Sequence, residues 1–343
     1  MKVKKIGIVS LSSGILGEDF VAHEVKIGIE RLKEYGIEVE FLPNSKNGID
    51  FIKNNPKERA KDFIDAFKDD SIDMILCAIG GDDTYRLLPY LFENNELKMA
   101  VKQKIFLGFS DTTMNHLMLN KVGIKTFYGQ AFLPDVCELS NEMLHYSKRF
   151  FEELINTGKI KEIYPSDVWY NEREDFSEKA IGISMEEHYN RGFELIRGNA
   201  KFEGKILGGC LESIFDIFDN SRYEDTVSLC QKYSLFPSLD EWKNKILLLE
   251  TSEEKPKPEL FRKMIHKLQE YGIFDVISGL IIGKPQNEEY YEEYKQIILD
   301  EIKKQDLSIV YNINVGHSTP RCIIPFGVNA KVDIERQIIE FNE

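Results

Sequence analysis

The sequence predicts an α/β protein whose first half folds as a doubly wound parallel sheet. Two patterns carry that expectation. Apolar, strand-length runs alternate with segments of helical period, and the most reactive polar residues fall just past the C-terminal ends of apolar runs. Parallel neighbours need a helical return at each crossover, which the alternation supplies.

The elements follow in order. Ile6 to Val9 reads as a strand; Val21, Val25, Gly28, Ile29 and Leu32 keep one helical face that ends at Gly36; Val39 to Leu42 is strand-like again. A second helix starts at Pro56, with Ala60, Phe63, Ile64 and Phe67 on one side. Met74 to Ile79 and Ile105 to Leu107 are continuous apolar strands, separated by a helix around Thr84 to Phe92 and followed by one from Met114 to Lys121. This is a flavodoxin-like plan. The second half is more mixed, with strands near Ile246, from Val276 to Ile282 and from Ile309 to Ile313, a helix from Leu260 to Tyr271, and a closing strand pair, Val328 to Val332 and Gln337 to Phe341. Between the halves, Ile163 to Glu172 has weak periodicity and then turns polar, so domains at 1–165 and 166–343 are expected.

Composition bounds the function. A chain of 343 residues, 42% of them hydrophobic, is long enough for two cores. A formal charge of -14 and a pI near 5.1 exclude general binding to nucleic acid polymers, which needs a basic face, while leaving room for a nucleotide moiety in a local pocket. The five cysteines lack Cys-x-x-Cys spacing and no His-Glu-x-x-His occurs, so neither a metal nor any other cofactor is expected. Scattered, odd-numbered cysteines suit a reducing compartment, and the first apolar run is broken by Ser10, Ser12 and Ser13; a cytoplasmic protein with no membrane partner is expected.

Candidate chemistry begins at Ser110, where the strand-like Ile105 to Leu107 stops and a helix begins. On such a turn a hydroxyl projects above the sheet end, and the free N–H groups of the helix can meet a developing negative charge. The same Ser110-Asp111-Thr112 could equally serve as a helix cap. A serine nucleophile needs an imidazole and a carboxylate. Of six histidines, His23, His145, His188 and His266 lie in charged, helix-like surroundings and His116 on the helix that follows Ser110. His317 sits on a loop between apolar runs, with Gly316 before it and Pro320 after it. Glu250 is the first polar residue after the strand-like Ile246 to Leu249, bordering the core, where a charge usually needs a partner. All three fall at strand C-termini, the edge where open α/β sheets build their sites.

Ala78-Ile79-Gly80-Gly81-Asp82-Asp83, Gly108-Phe109-Ser110-Asp111, Gly208-Gly209-Cys210-Leu211, Leu249-Glu250 and Gly316-His317 with Pro325-Phe326-Gly327 resemble, in order and over nearly the whole chain, the motifs of the LD-carboxypeptidase family of serine peptidases. Within it the chain looks most like the microcin C immunity branch. The resemblance implies a Ser110-His317-Glu250 triad, with Ser110 as nucleophile, His317 as general base and acid, and Glu250 as orienting carboxylate. It implies an oxyanion hole from the backbone N–H groups of Gly81 and Asp111, with Gly80 and Asp82 facing the substrate. It also implies a smaller, barrel-like, β-rich second domain and a homodimer. Two substrate classes come with it: a peptidyl or aminoacyl group joined to a modified nucleotide, or a murein tetrapeptide losing its terminal D-alanine. The first is favoured by the Gly-Gly-Asp-Asp and Leu-Glu-Thr-Ser segments.

Two further residues bear on specificity. Trp169, one of two tryptophans, sits in the connector, where its indole could stack on a planar base or simply pack. Lys255, with Lys257 and Arg262, could hold a terminal carboxylate or phosphate, or be solvated. A neutral His317 is required for catalysis, so kcat/KM is expected to fall below an apparent pKa of about 6 to 7.

Overall fold

The computed structural model describes residues 2–342. The chain is a two-domain α/β protein. The first sheet has six strands in the spatial order Ile324–Phe326, Thr126–Tyr128, Ile105–Gly108, Met74–Cys77, Lys5–Val9 and Glu38–Phe41. The five strands from the first half run parallel to one another. The central ones carry Ile6, Ile8, Ile75, Leu76, Phe106 and Leu107 with no solvent exposure, as expected for strands covered by helices on both faces. Helices Ala22–Glu34 and Pro56–Lys68 supply returns and bury the residues the 3.6-residue period had marked, among them Val25, Leu32, Ala60, Phe63 and Phe67.

The second sheet is mixed, in the order Glu162–Ile163, Ile338–Asn342, Asn329–Asp333, Lys201–Cys210, Lys245–Glu250, Gly279–Gly283, Ser308–Ile313 and Glu194–Arg197. Four central strands, from Lys201–Cys210 to Ser308–Ile313, are parallel, and antiparallel strands flank them. Three departures from expectation stand out. The second sheet has eight strands to the first sheet's six, so this unit is not the smaller in strand count, and its order ends on two edge strands. The run expected to be strand from Val276 begins as a helical turn, Ile273–Val276, and the strand follows at Gly279–Gly283. The apolar run after His317 leaves the second half altogether: Ile324–Phe326 pairs antiparallel with Thr126–Tyr128 at the edge of the first sheet. Pro325 fits there because an edge strand can spare an N–H.

That crossing decides where the site lies. The parallel strands Ile105–Gly108 and Lys245–Glu250 end at Ser110 and Glu250, and the segment between Ile313 and Ile324 passes between the two sheets carrying His317. No helix among the described residues is long and apolar enough to cross a membrane.

One buried ion pair braces the loops at the end of the first sheet. Arg59, fully buried on helix Pro56–Lys68, donates to Asp83 Oδ1 at 2.5 Å and Oδ2 at 3.2 Å and to the carbonyls of Leu11 and Ser12 at 3.1 and 3.3 Å. It ties the helix to the two loops that flank Gly80-Gly81. Arg59→Met should leave the Asp83 carboxylate buried without its partner and destabilise the protein by about 3–5 kcal/mol in urea unfolding; a loss below about 1 kcal/mol would mean that solvent replaces the guanidinium.

Candidate active site

Ser110 holds φ at +64°, in the left-handed region, directly after the extended Phe109. A non-glycine residue there is strained, and the strain turns the Ser110 side chain out of the sheet end instead of along it. The approach is tight: a Cβ added at Gly80 would lie 2.6 Å from Ser110 Oγ and 2.5 Å from its Cβ, so only glycine fits beside the serine.

Ser110 Oγ lies 3.0 Å from His317 Nε2, and His317 Nδ1 lies 2.8 Å from Glu250 Oε2. The backbone N–H of His317 also donates to Glu250 Oε2, at 3.1 Å, fixing the imidazole's approach from its own main chain. The structure therefore brings together the three residues singled out from sequence, although they come from widely separated segments. Gly316, at φ +77°, permits the crossing: a Cβ there would sit 2.2 Å from the Glu250 carboxyl carbon.

Two participants had no sequence signal. Tyr128 Oη donates to Glu250 Oε1 at 2.6 Å and accepts the N–H of Ser110 at 3.2 Å, joining carboxylate and serine through one hydroxyl. Its ring stacks on Phe326, 5.2 Å away at 14°, so the crossing strand sets its position. Nothing in the short run Thr126-Phe127-Tyr128 distinguishes this hydroxyl from that of a core tyrosine. The second is Glu253, whose Oε2 lies 2.9 Å from His317 Nε2, the same nitrogen that faces Ser110. The Glu253 side chain is 64% exposed, whereas that of Glu250 is fully buried.

Charge follows from this geometry. Burial would lower the pKa of the His317 imidazole, but the carboxylates of Glu250 and Glu253 outweigh it and push it up to about 10. Desolvation would raise Glu253, and the hydrogen bond to the imidazolium instead holds it down at about 2. With Glu253 seated, Nε2 carries a proton and cannot accept one from Ser110. A lone pair facing a carboxylate at 2.9 Å would be repelled, so base catalysis requires the exposed Glu253 side chain to move away. A seated Glu253 therefore keeps the imidazole protonated to higher pH than a free imidazole would be. His116, by contrast, is a core residue: it is buried between Thr126 Oγ1 at 2.7 Å and the Gly108 carbonyl at 3.1 Å, and burial lowers its pKa to about 3.

Small-ligand cavities run from about 300 to 1,000 Å³; here one of 580 Å³ opens above the serine, lined in part by Gly80, Gly81, Phe109, Ser110, Glu253, His317 and Arg321. Asp111 lies below it, its buried carboxylate accepting from Ser12 Oγ at 2.6 Å and Thr84 N at 2.9 Å, with burial pushing its pKa up to about 6. Three residues expected near substrate do not line this cavity. Asp82 accepts from Tyr223 Oη at 2.9 Å. Trp169 is only 8% exposed and stacks on His188 at 4.3 Å, with the Lys284 ammonium 5.0 Å over its ring. Lys255 follows the Glu253 turn, where its N–H donates to the Ser252 carbonyl at 3.1 Å. Among the described residues, no group of three His, Cys, Asp or Glu side chains is placed to hold a metal, and all five cysteines are buried and unpaired.

An α/β fold with a serine on a strained turn, an imidazole and a buried carboxylate in hydrogen-bonded sequence defines a serine hydrolase. Comparison with known proteins makes the class specific: residues 6–129 match the model of the LD-carboxypeptidase N-terminal domain and residues 203–332 that of the LD-carboxypeptidase C-terminal domain. The chain belongs to the LD-carboxypeptidase family of serine peptidases. It is 66% identical to an MccF-like protein from Streptococcus pneumoniae solved in complex with AMP, with a TM-score of 0.98 and 99% of both chains covered. It is 23% identical to the microcin C7 self-immunity protein MccF of Escherichia coli, over 84% of this chain and 78% of that protein. It shares its fold with MccF in complex with glutamyl sulfamoyl guanosine, at a TM-score of 0.80, 21% identity and coverage of 100% and 97%.

The seated Glu253 generates a prediction. Glu253→Gln removes one of the two carboxylates that hold the proton on His317, so the acid limb of kcat/KM should move toward lower pH by about one unit or more. A pH–rate profile of the variant that superimposes on the wild type would show that Glu253 does not govern the imidazole.

Proposed function

We propose that this protein hydrolyses an amide or acyl-phosphoramidate or sulfamate bond in a small peptidyl or aminoacyl-nucleotide substrate, with Ser110 as nucleophile. The observation that carries the reading is the hydrogen-bonded line from Ser110 Oγ to His317 Nε2 at 3.0 Å and from His317 Nδ1 to Glu250 at 2.8 Å. Once Glu253 has swung away, neutral His317 takes the Ser110 proton as Oγ attacks the carbonyl carbon. Glu250 keeps the other ring nitrogen protonated and stabilises the imidazolium that forms. The backbone N–H groups of Gly81 and Asp111 receive the oxyanion; the leaving group departs with the imidazolium proton; and water, activated by His317, releases the acyl group from Ser110.

A relative 66% identical over nearly its whole length was solved with AMP, which favours the nucleotide-linked class over a murein tetrapeptide. The tetrapeptide reading rests on the family itself. Gly80 borders the reacting carbon in either case. The parallel order of the first five strands supports a doubly wound, flavodoxin-like first domain within 1–165 and a second domain over 166–343, with Ile324–Phe326 crossing to the first sheet and Glu162–Ile163 to the second.

Turnover of an aminoacyl sulfamoyl adenosine and of an LD-tetrapeptide, measured side by side, decides between the classes. Ser110→Ala should lose at least about a thousandfold in kcat on the better substrate while folding normally, His317→Ala should lose a similar factor, and Glu250→Gln somewhat less. Near-wild-type turnover by Ser110→Ala would remove the nucleophile from the scheme. EDTA should leave the rate unchanged, and a loss that zinc restores would sink the metal-free mechanism.

A further inference from the structure

Arg321 is a buried guanidinium whose hydrogen-bonding capacity is not used up by the protein. It lies four residues beyond His317 on the segment that crosses between the sheets, is 4% exposed and lines the cavity above Ser110. Its Nη2 donates to Thr319 Oγ1 at 2.9 Å, its Nε has no hydrogen-bond partner, and no described residue accepts from Nη1. The carboxylates that face it stand off, Asp135 at 3.5 Å from Nε and Glu172 at 3.9 Å from Nη2. Arg59 and Arg173 also carry a buried Nε without a partner, so the contrast lies in the terminal nitrogens, which in Arg59 close on Asp83 at 2.5 and 3.2 Å. Leaving a buried guanidinium short of acceptors is costly, and a site that binds an anion is one way in which folds retain such a group.

Its position relative to the chemistry is set by Phe109. The Arg321 guanidinium carbon sits 4.8 Å over the Phe109 ring, and the His317 ring meets the same ring at 5.0 Å. Phe109 is the residue before Ser110. The unused donors are therefore one aromatic ring away from the imidazole and on the wall of the same cavity. Lys255, the cation expected from sequence to take a terminal anion, does not line that wall. Arg173, the other cavity arginine, is already engaged with Glu138 at 2.6 Å and the Ile183 carbonyl at 2.8 Å.

We propose that Arg321 is the specificity-determining residue that holds an anionic group next to the scissile bond on the leaving-group side of the substrate. This rests on the hydrolase reading and deepens it, because it names a feature that both substrate classes share. In an aminoacyl nucleotide the phosphate or sulfamate is attached to the acyl group that is cleaved. In a tetrapeptide the terminal carboxylate is one carbon from the amide nitrogen that leaves. A planar fork of donors suits either anion by paired hydrogen bonds, and an ester or amide lacking the anion would leave the buried guanidinium unpaired.

The test is binding of AMP and of adenosine, by calorimetry, to wild type, Arg321→Gln and Arg321→Lys. Wild type should prefer AMP. Arg321→Gln should weaken AMP by about tenfold to a hundredfold and adenosine by less than about twofold, and Arg321→Lys, which keeps the charge without the fork, should fall between. If Arg321→Gln does not fold, the lysine variant decides alone by a reduced preference for AMP. A second arm distinguishes the source of the anion: kcat/KM for an LD-tetrapeptide with a free or an amidated C-terminus, where loss confined to the free acid assigns Arg321 to a carboxylate. Equal losses for AMP and adenosine together with equal losses for acid and amide would overturn the proposal, as would a wild type that discriminates neither pair. Because the first arm needs no turnover, selective AMP binding through Arg321 by a protein that cleaves nothing would remove the hydrolase reading and leave this one standing.

Discussion

The buried carboxylate of Glu250 is the constraint on which the rest of the site depends. Its side chain is fully shielded from water, so every lone pair it directs into the protein needs a donor or costs the fold the desolvation of a charge. The donors come from both domains: Tyr128 Oη from the first sheet, and the ring and backbone nitrogens of His317 from the crossing segment. Satisfying Glu250 therefore requires that the two sheets be docked and that the chain return through Ile324–Phe326 to complete the first one. Domain docking and assembly of the site are one event, because the same hydrogen bonds serve both.

From that anchor the order of the remaining parts follows. Glu250 fixes the imidazole at Nδ1, which leaves Nε2 as the only nitrogen that can serve Ser110. Ser110 is presented to it by a left-handed backbone that neighbouring glycine makes room for and that Tyr128 pins through the Ser110 N–H. Glu253 is the part not built into this frame: it is exposed, it comes from the turn after Glu250, and it reaches Nε2 from the cavity side. A rigid buried carboxylate behind the ring and a movable exposed one in front give the same histidine two protonation regimes.

Much of this was legible in the sequence, and the reasons are local. Ser110, Glu250 and His317 each interrupt an apolar strand-like run at its end, so polarity and periodicity changed together there. Four of the first five strands could be read in the same way, three of them because buried parallel strands are continuous apolar runs. What escaped depended on tertiary contact. Thr126–Tyr128 is too short to show a period, and the importance of the Tyr128 hydroxyl comes from a carboxylate 122 residues away. Lys201–Cys210 mixes charge and glycine because one end lies on the antiparallel flank and the other in the buried centre. Trp169 was noticed for its rarity, but rarity says nothing of direction, and its ring faces His188 instead of the cavity. Arg321 lay within the segment most closely read and carried no pattern at all, since an arginine after a proline is ordinarily a solvated surface residue.

The chain's net charge gives these last residues their meaning. At -14 the protein as a whole repels anionic ligands at long range, and at physiological salt that field is screened within about 8 Å of exposed charges. Recognition of an anion must then be short-range and dry. The cavity meets that requirement by placing Arg321 behind Phe109, out of the screening solvent, where a guanidinium interacts more strongly than a surface lysine would. Two carboxylates serve the opposite end: Asp135 at 3.5 Å and, on the cavity wall, Glu172 at 3.9 Å partly offset the buried charge without closing the fork. Glu253 and Arg321 line the same cavity, so an anion held by Arg321 would repel the Glu253 carboxylate. Binding of the substrate's anion and release of His317 from its imidazolium state would then be the two faces of a single electrostatic exchange.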